Sequence, residues 1–186
     1  GTGSAAMEAT LANVVEPGDK VLVAIKGYFG YRLEDMAGGY KANVETIHKN
    51  WGNAFSLEEI EDALKKHNPA VFAIVHAETS TGVCQPMDGI GELCRKYNCL
   101  LLVDTVTSLG GVPLYLDEWK IDLAYSCSQK GLSCPPGLGP FSMNERAEKK
   151  MSNRKDKVPN WYLDVSLLNK YWGSDRVYHH TAPVNM

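Results

Sequence analysis

The sequence predicts an α/β domain: a mostly parallel β-sheet flanked by helices on both faces. Two observations carry this. Short apolar runs recur at 21–25 (VLVAI), 71–76 (VFAIVH) and 99–104 (CLLLVD), and continuous rather than alternating apolarity marks strands buried on both sides. Helical patterns separate these runs, and strand–helix alternation builds βαβ units. A chain of 186 residues, 44% hydrophobic and 22% charged, has the length and composition for one domain with a sizeable core.

The elements follow in order. Residues 5–15 carry Ala6, Leu11, Val14 and Val15 at helical spacing, and Glu16-Pro17-Gly18-Asp19 stops them. The strand at 21–25 closes in a turn, 26–30. A helix over 31–37 ends at Gly38-Gly39, and 44–47 is a short strand. Ser56-Leu57-Glu58-Glu59 is a capping box, Ser56 as N-cap and Glu59 at the third helical position, opening a helix to His67. A strand at 71–76, a helix at 87–97 and strands at 99–104 and 121–126 complete the alternation. A Gly/Pro-rich loop spans 131–140, and helices follow at 144–151 and 163–172.

Composition excludes several classes. Nineteen Lys and Arg against 22 Asp and Glu give a formal charge of −3, no electrostatic footprint for nucleic acid or an anionic membrane surface. The apolar runs are too short to span a bilayer. Five cysteines, an odd number without a CxxC motif, point to a reducing compartment and to no metal site. The opening Gly1-Thr2-Gly3-Ser4 is no secretory leader and lacks an initiator Met. The expectation is a piece of a longer intracellular protein.

In open α/β sheets ligands sit beyond the carboxyl ends of the strands. Gly1-Thr2-Gly3-Ser4 ahead of a helix offers backbone N–H groups and a helix N-terminus to a phosphate. It also fits the dinucleotide fingerprint GxGxxG/A as Gly1, Gly3 and Ala6, but the next strand ends in Lys26, where a ribose-binding carboxylate belongs. The plain alternative is a glycine turn with Ser4 as N-cap. Asp104 ends the apolar strand Leu100–Val103 and needs a partner: either a buried cap, or the counterion of a cationic ligand group such as a protonated pyridine nitrogen. Lys130 follows the strand at 121–126. A phosphate cradle, an acid for a ring nitrogen and a Lys for a Schiff base are together what pyridoxal phosphate requires. Tyr28 or Phe29 can stack on such a ring, and Thr79 or Ser80 can reach its hydroxyl. Packing and loop capping are the alternatives. His76 reads as a core residue, and His179-His180 are too close in sequence to act as paired ligands on one helix face.

GTGSAAMEATLANVVEPGD, HAETSTGVCQPMDGIGELC, CLLLVDTVTSLGGVPLY, YSCSQKGLSCPPG and YWGSDRVYHHT together resemble the alanine–glyoxylate aminotransferase family of fold-type I pyridoxal-phosphate enzymes. The neighbouring 3-hydroxykynurenine transaminases and serine–pyruvate aminotransferases are similar. The resemblance implies that residues 1–186 are most of the large, cofactor-binding domain. Lys130 would carry the cofactor as a covalent imine and shuttle the substrate Cα proton, and Asp104 would keep the pyridine nitrogen protonated. Thr2, Gly3, Ser4 and Gln129 would bind phosphate, Phe29 and Val106 would sandwich the ring, and Thr79 would sit near its oxygen. Tyr178 and Thr181 would cross a homodimer interface to the partner's cofactor phosphate.

Phe29 stands where the family often has Trp, and Ser4 where some members have His. The Arg for the substrate carboxylate is expected beyond Met186, so residues 1–186 alone should be nearly inactive. The reaction implied moves the amino group of alanine, or serine, to glyoxylate, giving pyruvate and glycine. A peroxisome is the implied location, with mitochondrion and cytosol as alternatives. The rivals are a 3-hydroxykynurenine transaminase, a nicotinamide-dependent oxidoreductase using the glycine fingerprint, and a truncated, non-catalytic interaction domain.

Overall fold

The computed structural model describes residues 1–181. In chain order its elements are α1 (Gly3–Val14), β1 (Lys20–Ile25), α2 (Tyr28–Gly39), β2 (Asn43–His48), α3 (Leu57–His67), β3 (Val71–Val75), β4 (Ala77–Glu78) and β5 (Val83–Cys84). Then come α4 (Ile90–Lys96), β6 (Leu100–Asp104), β7 (Leu123–Tyr125), β8 (Phe141–Met143), α5 (Glu145–Ser152) and α6 (Val165–Trp172). One sheet holds six strands in the order β2-β1-β3-β6-β7-β8, and β4 and β5 form a separate small hairpin. Every pairing in the large sheet is parallel except β7 with β8.

The strands alternate their side chains between two apolar layers, as the pleat dictates. Val21, Val23 and Ile25 of β1 join Leu11 and Val14 of α1 and Leu33 of α2 on one face. Leu22 and Ala24 join Ile60 and Leu64 of α3 and Ile90 of α4 on the other. Both faces are therefore covered, as the unbroken apolar runs require. The capping box of α3 is present in full: the Glu59 N–H donates to Ser56 Oγ at 3.2 Å and the Ser56 N–H to Glu59 Oε2 at 2.8 Å. Asn68 closes that helix in the left-handed conformation at φ 45°.

Several expectations are corrected. Helix α1 begins at Gly3, so Ser4 lies inside its first turn and is no N-cap; Thr2 holds that position without a side-chain hydrogen bond. Helix α2 begins at Tyr28 rather than residue 31. Its first amides find acceptors far away in sequence, Ser80 Oγ for the Tyr28 N–H at 2.8 Å and Glu78 Oε1 for the Phe29 N–H at 3.5 Å. No local cap marks such a start. The helix read at 163–172 divides into a 3-10 turn, Trp161–Leu163, and α6. Asn13 of α1 ties both down, donating to the Leu163 carbonyl at 2.7 Å and accepting from the Val165 N–H at 3.0 Å.

The amino-terminal edge of the sheet is fastened by Asp122, whose side chain is fully buried. It accepts the Leu101 N–H at 2.8 Å, Asn144 Nδ2 at 2.8 Å, and Arg146 Nη1 at 3.0 and 2.8 Å on its two oxygens. Strand β6, strand β7 and helix α5 meet at this carboxylate. Removing the cation leaves a buried, uncompensated charge, which typically costs several kcal/mol. Arg146→Ala is expected to lower unfolding stability by about 3 kcal/mol, read as a reduced urea midpoint at unchanged slope.

Candidate active site

Because β1, β3, β6 and β7 run parallel, their carboxyl ends open on one edge of the sheet, the edge where α/β folds bind ligands. Lys26, His76, Asp104 and Ser126 stand at or just past those four ends. The start of α1 is pressed onto the same edge: a Cβ on Gly3 would lie 2.8 Å from Cys127 Cβ and 3.7 Å from Val106 Cγ2. Only glycine permits that approach. No side chain caps α1, so the first amides of the helix, those of Gly3, Ser4 and Ala5, lack an acceptor and face outward as anion donors. Arg32 of α2 adds positive charge, its guanidinium 3.4 Å from Ser4 Oγ and 4.8 Å from the centre of the Phe29 ring.

Asp104 is the buried carboxylate of this edge. The Val106 N–H donates to its Oδ1 at 2.8 Å and the Tyr125 hydroxyl to its Oδ2 at 2.7 Å. Parallel register explains the second contact, since Asp104 pairs directly with Tyr125 across β6 and β7. Burial still prevails over these two donors and pushes the Asp104 carboxyl up to about 6. Burial and the adjacent carboxylate push the Tyr125 phenol well up, so it stays a donor.

The β4–β5 hairpin forms the next wall. Glu78 is buried; its Oε1 accepts the Ser80 hydroxyl at 2.7 Å and the Ser80 N–H at 3.1 Å, as well as the Phe29 amide. Gly27 is pressed against it, because a Cβ there would lie 2.3 Å from Glu78 Cγ. The Thr107 hydroxyl donates to the Ala77 carbonyl, joining the hairpin to the loop after β6. Thr79 is exposed between Glu78 and Ser80.

Gln129 and Lys130 are exposed after β7, in a turn closed by the Ser133 N–H on the Lys130 carbonyl at 2.9 Å. That turn packs closely on the loop after β6, where a Cβ on Gly131 would meet the Leu109 carbonyl oxygen at 2.4 Å. The Lys130 ammonium pairs with no carboxylate among the described residues. Tyr178 and Thr181 are both exposed, and their hydroxyls bond to each other at 2.6 Å.

Sequence reasoning placed Glu78 at a strand end without a role and assigned none to Lys26, Tyr125 or Arg32. A lysine at a strand end reads as solvated, yet Lys26 is wholly buried. The contact of Tyr125 with Asp104 depends on strand register. Arg32 lies on the same helix as Phe29, a link hidden while residues 26–30 read as a turn.

The sequence profile of the aminotransferase class-V family matches residues 1–162. The structure superposes on an alanine–glyoxylate aminotransferase from Nostoc sp. with a TM-score of 0.98, at 67% identity over 100% of this chain and 49% of that one. It superposes on the ureidoglycine–glyoxylate aminotransferase of Bacillus subtilis with a TM-score of 0.95, at 44% identity over 97% of this chain and 47% of that one. The alanine–glyoxylate aminotransferase of Callithrix jacchus is 48% identical over 187 residues, covering 99% of this chain and 45% of that protein. The chain thus spans about half the length of these relatives. The architecture is that of the fold-type I aminotransferases, which are built around pyridoxal phosphate. Within that class, the chain belongs to the aminotransferase class-V family.

Two buried groups at this edge titrate in opposite directions. Burial holds the His76 imidazole down at about 4, from 6.5. As pH falls from 6.5 toward 4 the unfolded chain takes up a proton that folded His76 refuses, and stability drops. Asp104 rises to about 6 from 3.8, so between those values the folded chain holds a proton the unfolded chain has lost, and acid adds stability. The two effects oppose each other in the cofactor-free protein. In Asp104→Asn the His76 effect acts alone. Its urea midpoint is expected to fall more steeply between pH 6.5 and 4 than that of the parent, the difference amounting to about 3 kcal/mol.

Proposed function

We propose that this chain is the large cofactor domain of a pyridoxal-phosphate-dependent aminotransferase that moves the amino group of alanine, or of serine, to glyoxylate. The observation that carries the reading is the convergence on one sheet edge of an uncapped helix N-terminus, a buried carboxylate short of donors, and an unpaired lysine. Each matches one demand of the cofactor: phosphate, ring nitrogen and carbonyl carbon. The names of the relatives support the acceptor. Two are called alanine–glyoxylate and one ureidoglycine–glyoxylate aminotransferase, so glyoxylate is common to enzymes that differ in donor.

The residues fit the group. The cradle at Gly3 has no room for a side chain, and its free amides suit a phosphate dianion, to which Thr2, Ser4 and Gln129 would add. Phe29 and Val106 would bracket the ring and Thr79 would meet its oxygen. Bound there, the cofactor would supply an electron sink for the pair released when the substrate Cα–H bond breaks.

Asp104, a destabilised anion in the cofactor-free chain, gains a cation by holding the proton on the ring nitrogen. That charge is what makes the ring accept electrons. Lys130, exposed in the turn after β7, would hold the cofactor through its amine, and the same amine would move the proton at the substrate Cα. We further propose that Tyr178 and Thr181 act across a homodimer interface. Their exposure is consistent with a role on the partner's cofactor phosphate.

Borohydride reduction of the full-length protein with pyridoxal phosphate, followed by peptide mapping, tests the assignment. A pyridoxyl label on Lys130 is expected. A label elsewhere, or none, would overturn the reading. Lys130→Ala is expected to lower transamination of alanine and glyoxylate by at least the 10²–10⁴-fold typical of losing a general acid–base group.

A further inference from the structure

A second lysine bears on this site. Lys26, at the end of β1, is fully buried, an unusual place for an ammonium. Among the described residues its Nζ reaches two hydrogen-bond acceptors, both at the limit of range, the His76 carbonyl at 3.4 Å and the Val83 carbonyl at 3.5 Å. The ionisable groups that face it are the Glu78 carboxylate from β4, the Cys84 thiol from β5, the Asp104 carboxylate from β6, and the neutral His76 imidazole just past β3. Burial lowers the ammonium to about 8, against the pull of these anions, so Lys26 is still charged at neutral pH.

Glu78 is the anion without another cation. Its Oε1 is engaged by Ser80 and the Phe29 amide, but its Oε2 is buried and meets no donor. Two carboxylates and one ammonium leave the pocket with one negative charge in excess. We propose that Lys26 is a positioning residue that acts through Asp104: it offsets the Glu78 charge, so that the Asp104 carboxylate stays ionised and available to a cationic ring nitrogen. Without Lys26, two carboxylates share a poorly solvated site, and one of them takes a proton. Asp104, whose carboxyl burial already pushes up to about 6, takes that proton, and a neutral Asp104 holds a ring cation poorly.

This rests on the cofactor assignment above, and charge compensation separates the two. The measurement is the pyridoxal phosphate dissociation constant of the full-length protein, with thermal unfolding of each cofactor-free variant as the check on folding. Lys26→Met should weaken cofactor binding about tenfold at pH 7, the effect of about two units of upward displacement at Asp104 from its value of about 6. Lys26→Gln, which keeps hydrogen-bonding capacity toward the two carbonyls but not the charge, should lose as much. Glu78→Gln alone should also weaken binding, because Lys26 then neutralises Asp104. The double variant Lys26→Met/Glu78→Gln should recover to within about threefold of the parent, since its charge balance is restored.

A purely structural role for Lys26 would give additive losses in the double variant. Parental affinity in Lys26→Met or Lys26→Gln, or a double variant no tighter than Lys26→Met, would overturn the inference. Failure of the parent itself to carry the cofactor on Lys130 would instead overturn the assignment on which it rests.

Discussion

A parallel sheet covered on both faces can present polar chemistry only at its strand ends, and that constraint organises the whole molecule. Strands β1, β3 and β6 are apolar from Val21 to Ile25, Val71 to Val75 and Leu100 to Val103, with both layers packed against helices. Nothing ionisable sits between those layers within these runs. Lys26, His76 and Asp104 therefore fall together at the carboxyl edge, where each strand leaves the core. Their proximity follows from direction and register; no local sequence feature needs to bring them together.

Helix starts complete the edge. Helix α1 reaches it because Gly3 allows backbone contact with the end of β7, and α2 because Gly27 yields to Glu78. The two starts are handled differently. The first amides of α2 are turned toward Ser80 and Glu78, which fixes the helix that carries Phe29 and Arg32. Those of α1 are left without side-chain acceptors, and this is the end that suits an external anion.

The five parallel strands, the capping box of α3 and the place of Asp104 at a strand end were legible because each rests on a short-range rule: apolar run length, an S-x-x-E spacing, a polar residue closing an apolar strand. What was not legible depends on distance in sequence. The start of α2 is satisfied from Ser80, some fifty residues on. The antiparallel edge strand β8 has three residues, none buried, too few to show a period. Lys26 and Lys130 look alike in sequence, each following a strand, yet one is buried and the other exposed. The difference arises because β1 lies inside the sheet beneath the hairpin, whereas Lys130 sits in a turn beyond β7.

Two buried aspartates show how the same sheet divides its tasks. Asp122, at the amino edge, accepts four hydrogen bonds, two of them from the Arg146 guanidinium, and so its charge is matched within the fold. Asp104, at the carboxyl edge, accepts two, both from neutral groups. Near it lie two unpartnered buried polar atoms, His76 Nδ1 and Glu78 Oε2. An unmatched buried charge costs stability until a ligand supplies what is missing. Binding of a cation at Asp104 then stabilises the folded state by mass action. The amino edge holds the domain together through interactions already complete, and the carboxyl edge stays chemically competent because its interactions are not.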